Sequence, residues 1–174
     1  MRSFVLAAVS AVALAVTAPA AQAQQKAIVQ TAVAAAPLAA GGSAFASWRR
    51  VRVCIIGHTS RGNYGHGMDT VWRSIAGAEV VAVADPVKEG AAAAAKRTGA
   101  ARCYADYREM LRKEKPDFVS IAPRWLDQRV EMVEAVAAAG AHIYMEKPLA
   151  QSLVDADRIV AAVRKNGVKL QLAH

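Results

Sequence analysis

The chain has 174 residues, enough for one domain of ordinary size, and its formal net charge is +8. Its basic residues are interspersed with acidic ones and form no stripe, which argues against nucleic acid as a partner. The two cysteines, Cys54 and Cys103, each lie in a predicted strand, so buried thiols are expected and not a disulfide, and the sequence has no metal-ligand spacing.

Residues 1–23 have the pattern of a secretory signal peptide. Arg2 precedes an apolar run from Phe4 to Val16, and the small-residue motif AQA at 21–23 is a cleavage site before Gln24. The run is short for a membrane span, although an uncleaved anchor is the alternative. We therefore expect Sec-type export to the periplasm or the outside, with no stable membrane span.

Residues 24–50 are predicted to be an alanine-rich linker. They contain Pro37 and the pair Gly41-Gly42, both of which interrupt regular structure. A second small-residue site, AFA at 44–46, leaves open a longer leader that is cut before Ser47.

From residue 51 to residue 174 the sequence alternates between predicted strands and predicted helices, and we treat this range as one domain. The strands are expected at 51–56, 79–84, 101–104, 117–122, 142–145 and 168–173. The helices are expected at 68–76, 87–99, 106–115, 123–140 and 152–165. Strands joined by helices of this length indicate a doubly wound parallel sheet of the Rossmann type, within the α/β class.

A loop with four glycines, GHTSRGNYGHG at 57–67, follows the first strand. A dinucleotide-binding turn uses three spaced glycines, and Gly57 and Gly62 occupy the first and third positions, whereas Thr59 occupies the second. A helix starting after the loop would still offer free N–H groups and a positive dipole end to a pyrophosphate. The alternative is a glycine-rich surface turn without a ligand.

Three side chains in this loop carry groups that suit a phosphate. The hydroxyls of Thr59 and Ser60 can donate hydrogen bonds, and Arg61 can add positive charge. We therefore predict that these residues contact the cofactor together with the two glycines.

Asp85 ends the second predicted strand, in the run EVVAVADP. A carboxylate at this point can accept both ribose hydroxyls of the adenosine half, and it repels a 2′-phosphate. The prediction is therefore NAD in preference to NADP, although Lys88 lies nearby. The alternative role for Asp85 is to cap the following helix.

The run YMEKPLA at 144–150 follows the fifth predicted strand. Together with the glycine turn, VADP at 83–86 and IAP at 121–123, it resembles the N-terminal domain of the Gfo/Idh/MocA oxidoreductases. The resemblance covers residues 51–174 in unbroken order, and its most specific element is the Glu-Lys-Pro triplet.

The resemblance implies roles for the triplet and for the loop after the fourth strand. In this family the lysine lies near the nicotinamide and the reacting hydroxyl of a sugar or cyclitol, which makes Lys147 the expected catalytic residue. Glu146 would shape the cofactor side, and Pro148 would fix the turn, with a cis bond as one option. Pro123 and Trp125 would contact the cofactor. The alternative for Lys147 is an exposed loop lysine.

Two positions depart from the family pattern. The usual proline-asparagine pair reads Pro123-Arg124, and Asp127 stands where a histidine often follows. Trp125 either flanks the cofactor or packs the loop, and both interpretations stay open. The four histidines show no pairing that suggests a metal.

Family members also carry a second domain of antiparallel sheet, which supplies an acid-base histidine, substrate contacts and an oligomer interface. This sequence stops at His174, directly after the sixth predicted strand. Two hypotheses follow. The chain is the cofactor domain of an NAD(P)-dependent oxidoreductase of sugar-like polyols, for which a homo-oligomer is an option, or it is a truncated, non-catalytic nucleotide-binding module.

Overall fold

The computed structural model describes residues 49–173. The predicted signal peptide and nearly all of the predicted linker lie outside this range. Within it, no helix has the length and apolar character needed to cross a membrane.

A six-stranded sheet forms the centre of the domain, and all its strand pairs are parallel. Its order is β3-β2-β1-β4-β5-β6, in which the winding reverses between β1 and β4. The strands are β1 Val51–Ile56, β2 Ala78–Ala84, β3 Arg102–Tyr104, β4 Phe118–Ile121, β5 His142–Met145 and β6 Leu170–Leu172. The predicted Rossmann-type sheet is confirmed.

Four α-helices connect the strands: α1 Lys88–Thr98, α2 Tyr107–Glu114, α3 Arg129–Ala138 and α4 Leu153–Lys165. Side chains cap two of them. Asp106 accepts a hydrogen bond from the amide of Arg108 at the start of α2, and Ser152 accepts one from the amide of Asp155 at the start of α4.

The helix predicted at 68–76 is wrong, because the structure has only a short 3-10 helix there, Val71–Ser74. The segment lies between Gly67 and Gly77, which both have positive φ angles and end any helical run. Three of its helically spaced apolar residues, Met68, Trp72 and Ile75, are nevertheless buried. The helical spacing of apolar residues at 68–76 therefore reflects burial in the core and not helical structure.

The helix predicted to open at Pro123 starts at Arg129, and residues 123–128 form a loop. The carbonyl of Pro123 accepts a hydrogen bond from Nη2 of Arg129 at 2.6 Å. Its oxygen is thus bonded to a side chain and not to the amide four residues later, as a helix would require.

The two cysteines differ. Cys54 is buried in β1, and burial raises the pKa of its thiol to about 12. Cys103 is exposed, so the prediction of two buried thiols is wrong for this residue. The reason is its position in β3, a three-residue strand at the edge of the sheet.

The core covers both faces of the sheet. Along β1, Val53 and Ile55 join one apolar cluster, whereas Cys54 and Ile56 join the other. A strand segment covered on both faces is apolar at each position, which is why the buried part of β1, residues 53–56, shows no polar alternation.

Ion pairs join elements at the end of the sheet where its parallel strands begin, which we call the amino edge. Glu114, only 5% exposed, accepts hydrogen bonds from Arg102 at 2.6 Å, Tyr104 at 2.6 Å and Arg52 at 3.0 Å. The Arg102 guanidinium is the main group that holds the pKa of Glu114 below its usual value.

A second ion pair lies at the start of the described range. Asp117, just before β4, receives both terminal nitrogens of Arg49, at 2.6 and 3.0 Å, and the backbone amide of Arg52 at 2.8 Å. The contact fixes the two residues before β1 against the sheet.

Candidate functional site

The glycine loop, residues 57–67, follows β1 at the end of the sheet where the parallel strands terminate, which we call the carboxyl edge. It then folds back on itself. The amide of His58 donates to the carbonyl of Asn63 at 3.2 Å, and the amide of Asn63 donates to the carbonyl of His58 at 2.9 Å. The tip therefore consists of residues 59–62. Its last residue, Gly62, has a φ angle of +89°.

Two amides at the tip are available to a ligand. Among residues 49–173, no acceptor receives the N–H of Ser60 or of Gly62. Backbone amides arranged in this way form an anion-binding concavity. The helix N-terminus expected to assist them is absent, because only the 3-10 helix follows. The loop amides would thus receive a diphosphate without a helix dipole.

Asp85 lies at the end of β2, where it is 1% exposed. Its Oδ2 accepts hydrogen bonds from the amide of Thr59 at 3.0 Å, the hydroxyl of Thr59 at 2.7 Å and the hydroxyl of Tyr64 at 2.7 Å. Its Oδ1 accepts only the amide of Val87, at 2.9 Å, from the described residues. Oδ1 therefore keeps acceptor capacity for a ribose hydroxyl.

Asp85 fulfils only part of its alternative role, which was to cap α1. Asp85 accepts the amide of Val87, which precedes α1, but most of its hydrogen bonds come from the glycine loop. Its carboxylate mainly joins the loop to β2.

Thr59 directs both of its donors to Asp85 and not toward the loop tip. A Cβ atom at Gly90, in the first turn of α1, would lie 1.7 Å from the Thr59 hydroxyl oxygen. Glycine at 90 thus provides room for the side chain at 59. That Thr59 contacts the cofactor stays a prediction, as it does for Ser60.

Tyr64 is a site residue that the sequence analysis missed. Its ring covers Gly57 so closely that a Cβ there would lie 2.1 Å from a ring carbon. The guanidinium of Arg97 lies 4.9 Å from the ring centroid. Burial, aided by the hydrogen bond to Asp85, raises the pKa of Tyr64. An aromatic residue within a glycine loop was the available signal.

Arg61 does not point freely toward a ligand, because it forms an ion pair with Asp127. Its guanidinium also lies 5.0 Å from the ring centroid of Trp125, which is 54% exposed. The side chain of Arg124 donates to the carbonyl of Gly62 at 3.2 Å. These contacts join the glycine loop to the loop after β4, across the point where the winding reverses.

A cavity of about 270 Å³ opens at the carboxyl ends of β1 and β2, where Ile56, Ala84 and Pro86 line it. His58, Tyr107 and Gln128 contribute to its lining. Nδ1 of His58 and the hydroxyl of Tyr107 are buried and have no hydrogen-bond partner among the described residues. Unpaired buried groups favour a polar ligand, and in this fold the adenosine half binds on this side.

The Glu-Lys-Pro turn follows β5 at the same edge. Glu146, 1% exposed, accepts the amide of His66 at 3.0 Å, and Nδ1 of His66 lies 3.2 Å from its other oxygen. Lys147 is exposed and has no hydrogen bond or ion pair with the described residues. The bond between Lys147 and Pro148 is cis, the option that the sequence left open.

Arg129, the first residue of α3, is the second residue that the sequence analysis missed. It is 1% exposed, and it donates to the carbonyls of Pro123, Glu146 and Pro148. Burial lowers the pKa of Arg129 to about 10, against the opposing charge of Glu146. Its position four residues before Val133, on the apolar stripe of a predicted helix, was the signal.

The structure brings the predicted site residues together along one edge of the sheet, in three loops. Gly57, Thr59, Ser60, Arg61 and Gly62 lie after β1, Pro123 and Trp125 after β4, and Glu146, Lys147 and Pro148 after β5, with Asp85 at the end of β2. Residues 49–173 contain no group of three His, Cys, Asp or Glu side chains placed to hold a metal ion.

Comparison with known proteins gives a consistent result. Residues 51–174 match the family model described as an oxidoreductase family with an NAD-binding Rossmann fold. D-apiose dehydrogenase of Paraburkholderia graminis is 42% identical over 101 residues, which cover 58% of this chain and 27% of that protein. Inositol 2-dehydrogenase of Salmonella typhimurium is 31% identical over 98 residues, covering 56% and 29%.

Solved structures agree. The crystal structure of GenD2 from gentamicin A biosynthesis, in complex with NAD, is 26% identical with a TM-score of 0.63, over 79% of this chain and 37% of that one. The match to this chain spans less than a third of the length of D-apiose dehydrogenase and of inositol 2-dehydrogenase, the two curated relatives described above.

Proposed function

We propose, because this chain belongs to the Gfo/Idh/MocA family of oxidoreductases and contains their NAD-binding Rossmann domain, that it serves the oxidation or reduction of sugar- or cyclitol-like polyols. Bound NAD would supply the hydride acceptor. Lys147 would bind the substrate hydroxyl and take its proton while the hydride leaves the carbon that carries it.

The chain's own residues fit a dinucleotide. The free amides of Ser60 and Gly62 suit a diphosphate, and Oδ1 of Asp85 suits a ribose hydroxyl. The adjacent cavity holds the unpaired polar groups of His58 and Tyr107, which suit the adenosine half. This run of unpaired groups along one edge is the observation that carries the proposal.

The same geometry favours NAD over NADP. A 2′-phosphate would lie against the buried carboxylate of Asp85, whose Oδ2 already receives three donors. Like charges at hydrogen-bonding distance oppose binding strongly in a buried site. We expect weaker binding of NADP, with Lys88 reducing the difference.

The substrate class is supported by relatives named for apiose and inositol, which are both polyhydroxylated. Lys147 is exposed and unpaired within the described range, so its amine is available to a substrate oxygen. The alternative is a non-catalytic nucleotide-binding module, since this chain covers only part of each relative.

A calorimetric titration with NAD and with NADP tests the cofactor, and absorbance of reduced nicotinamide tests turnover with inositol or apiose. We expect NAD to bind more tightly, and Lys147→Met to abolish polyol oxidation without changing the NAD dissociation constant. NAD binding without turnover by the unaltered protein would support the module instead. Failure to bind either nucleotide would contradict the proposal.

We also propose export, on the basis of the leader pattern at residues 1–23. The mature protein should begin at Gln24 or at Ser47. N-terminal sequencing of the purified native protein distinguishes the two, and an intact Met1 would contradict export by cleavage.

A further inference from the structure

The two sides of the crevice at the carboxyl ends of the strands face different halves of a dinucleotide. Asp85 directly follows β2, which places the adenosine half over β1, β2 and β3. A dinucleotide lies across the reversal between β1 and β4, so the nicotinamide half belongs over β4 and β5. The loops that follow these two strands, at 122–127 and 146–150, therefore border the nicotinamide half.

A single buried side chain joins these two loops. Nη2 of Arg129 donates to the carbonyl of Pro123, and Nη1 donates to the carbonyls of Glu146 and Pro148. The last two carbonyls stand on either side of Lys147 along the chain. The guanidinium thus fixes the backbone that carries this lysine.

An arginine at position 129 suits the bonding of two loops better than another basic residue would. A charge that is 1% exposed costs free energy unless hydrogen bonds compensate it, and Arg129 forms no ion pair with a described residue. Its Nε has no partner among the described residues, so the two terminal nitrogens form all of its hydrogen bonds there. Its hydrogen bonds are instead directed to the backbone of the two loops. A planar fork can reach three carbonyls in fixed directions, whereas a lysine ammonium cannot hold the same set.

We propose that Arg129 is a positioning residue, which sets Lys147 and the loop after β4 at the correct distance around the nicotinamide. This inference rests on the proposed function. It assigns Arg129 no contact with substrate or cofactor, because the guanidinium is buried beneath the two loops.

The test compares NAD with ADP-ribose, which lacks the nicotinamide, in Arg129→Lys and Arg129→Met variants. The affinity ratio of NAD to ADP-ribose should fall roughly tenfold in Arg129→Met, the loss expected when hydrogen bonds to a charged group are removed. Arg129→Lys should recover part of the ratio. Arg158→Lys is the matched control, because Arg158 is an exposed arginine whose one ion-pair partner within residues 49–173 is Glu134.

A purely structural role would weaken both ligands equally and leave the ratio unchanged, which would overturn the inference. Should the variants fail to fold, the unaltered protein still decides. The ¹⁵N resonance of Arg129 Nε should shift with NAD and much less with ADP-ribose, and equal shifts would count against the inference.

The two proposals fail in distinguishable ways. If the unaltered protein binds neither ligand, the proposed function and this inference both fall. If it prefers NAD to ADP-ribose but the variants keep that preference, only the inference falls. Equal binding of the two ligands by the unaltered protein would also overturn the inference alone.

Discussion

Hydrogen bonds to Asp85 are distributed unevenly between its two oxygens, and this explains how a threonine replaces the middle glycine of the turn. Thr59 turns its hydroxyl away from the loop tip and toward Asp85, into space that Gly90 leaves free. The tip amides stay accessible as a result. A dinucleotide turn needs open backbone at its tip, and here that need is met by a glycine on a different element.

Replacement of Tyr64 by Phe should lower the free energy of unfolding by about 1.5–3 kcal/mol, because it removes a hydrogen bond to a buried carboxylate. Urea denaturation without nucleotide measures the change. Tyr107→Phe is the control and should be nearly neutral, since the Tyr107 hydroxyl has no partner among the described residues. Equal losses in the two variants would contradict the role given to Tyr64.

Replacement of Gly62 by Ala should weaken NAD binding by about tenfold or more, since the new Cβ would lie 2.4 Å from the backbone nitrogen of Arg124. The loop tip would have to shift, and its amides with it. Gly99→Ala is matched in backbone strain, with a φ angle of +81°, but has open space around it. It should cost about 1 kcal/mol of stability and leave the affinity unchanged. Calorimetric titration with NAD measures both affinities, and an equal loss of affinity in the two variants would contradict the role given to Gly62.

At the scale of elements, the sequence predicts strands better than it predicts helix starts. A buried parallel strand is a short apolar run ended by glycine or a charge, and both signals are local, as at 51–56 and 142–145. The helices predicted at 68 and at 123 failed for non-local reasons. Positive-φ glycines on both sides shorten the first, and the Arg129 side chain takes the carbonyl that would begin the second.

The contacts of Glu114 join α2 to β1 and β3, and they predict a dependence of stability on pH. Because its pKa is lowered in the folded protein, the stabilisation is complete above the unfolded value of about 4.3 and is lost as pH falls through the folded value. Glu114→Gln should therefore cost about 1–3 kcal/mol at neutral pH, and the difference from the unaltered protein should narrow in acid.

Urea denaturation over a pH series tests this prediction. Glu109→Gln removes a carboxylate from an exposed pair with Lys113 on the same helix and should cost only about 0.3–0.5 kcal/mol. A Glu114→Gln effect that stays constant down to the most acidic pH would contradict the ion-pair explanation.

At the scale of the whole molecule, the two edges of the sheet differ in chemistry. The amino edge is closed by the ion pairs of Glu114 and Asp117, whereas the carboxyl edge keeps unpaired donors and acceptors. The edge that holds the site could be predicted, since the carboxyl ends of parallel strands share one side. The helical spacing of Arg129 could indicate its burial, but its contacts with the carbonyls of Glu146 and Pro148 could not be predicted, nor could the pairing of Arg61 with Asp127, because no local pattern connects these residues.

Hydrogen exchange should report this difference between the edges. NAD should slow exchange in all three loops of the carboxyl edge, at 58–62, 123–128 and 146–150, and leave the turns at Gly77 and Gly140 unchanged. AMP should protect the first of these loops and Gln128, which lines the cavity on the adenosine side, and leave 146–150 unchanged, because it cannot reach across the reversal. Protection confined to the amino edge would contradict the site.

The bidentate contact between Arg49 and Asp117 has a practical consequence for the length of the working protein. Both candidate processing points, before Gln24 and before Ser47, lie upstream of Arg49, so either mature form retains this anchor. Affinity tags or fusion partners attached at residue 47 would leave it intact. Trimming to Val51 would instead remove the guanidinium and, among the described residues, leave the Asp117 carboxylate with the Arg52 amide alone, so a shortened version that keeps this contact begins at Arg49.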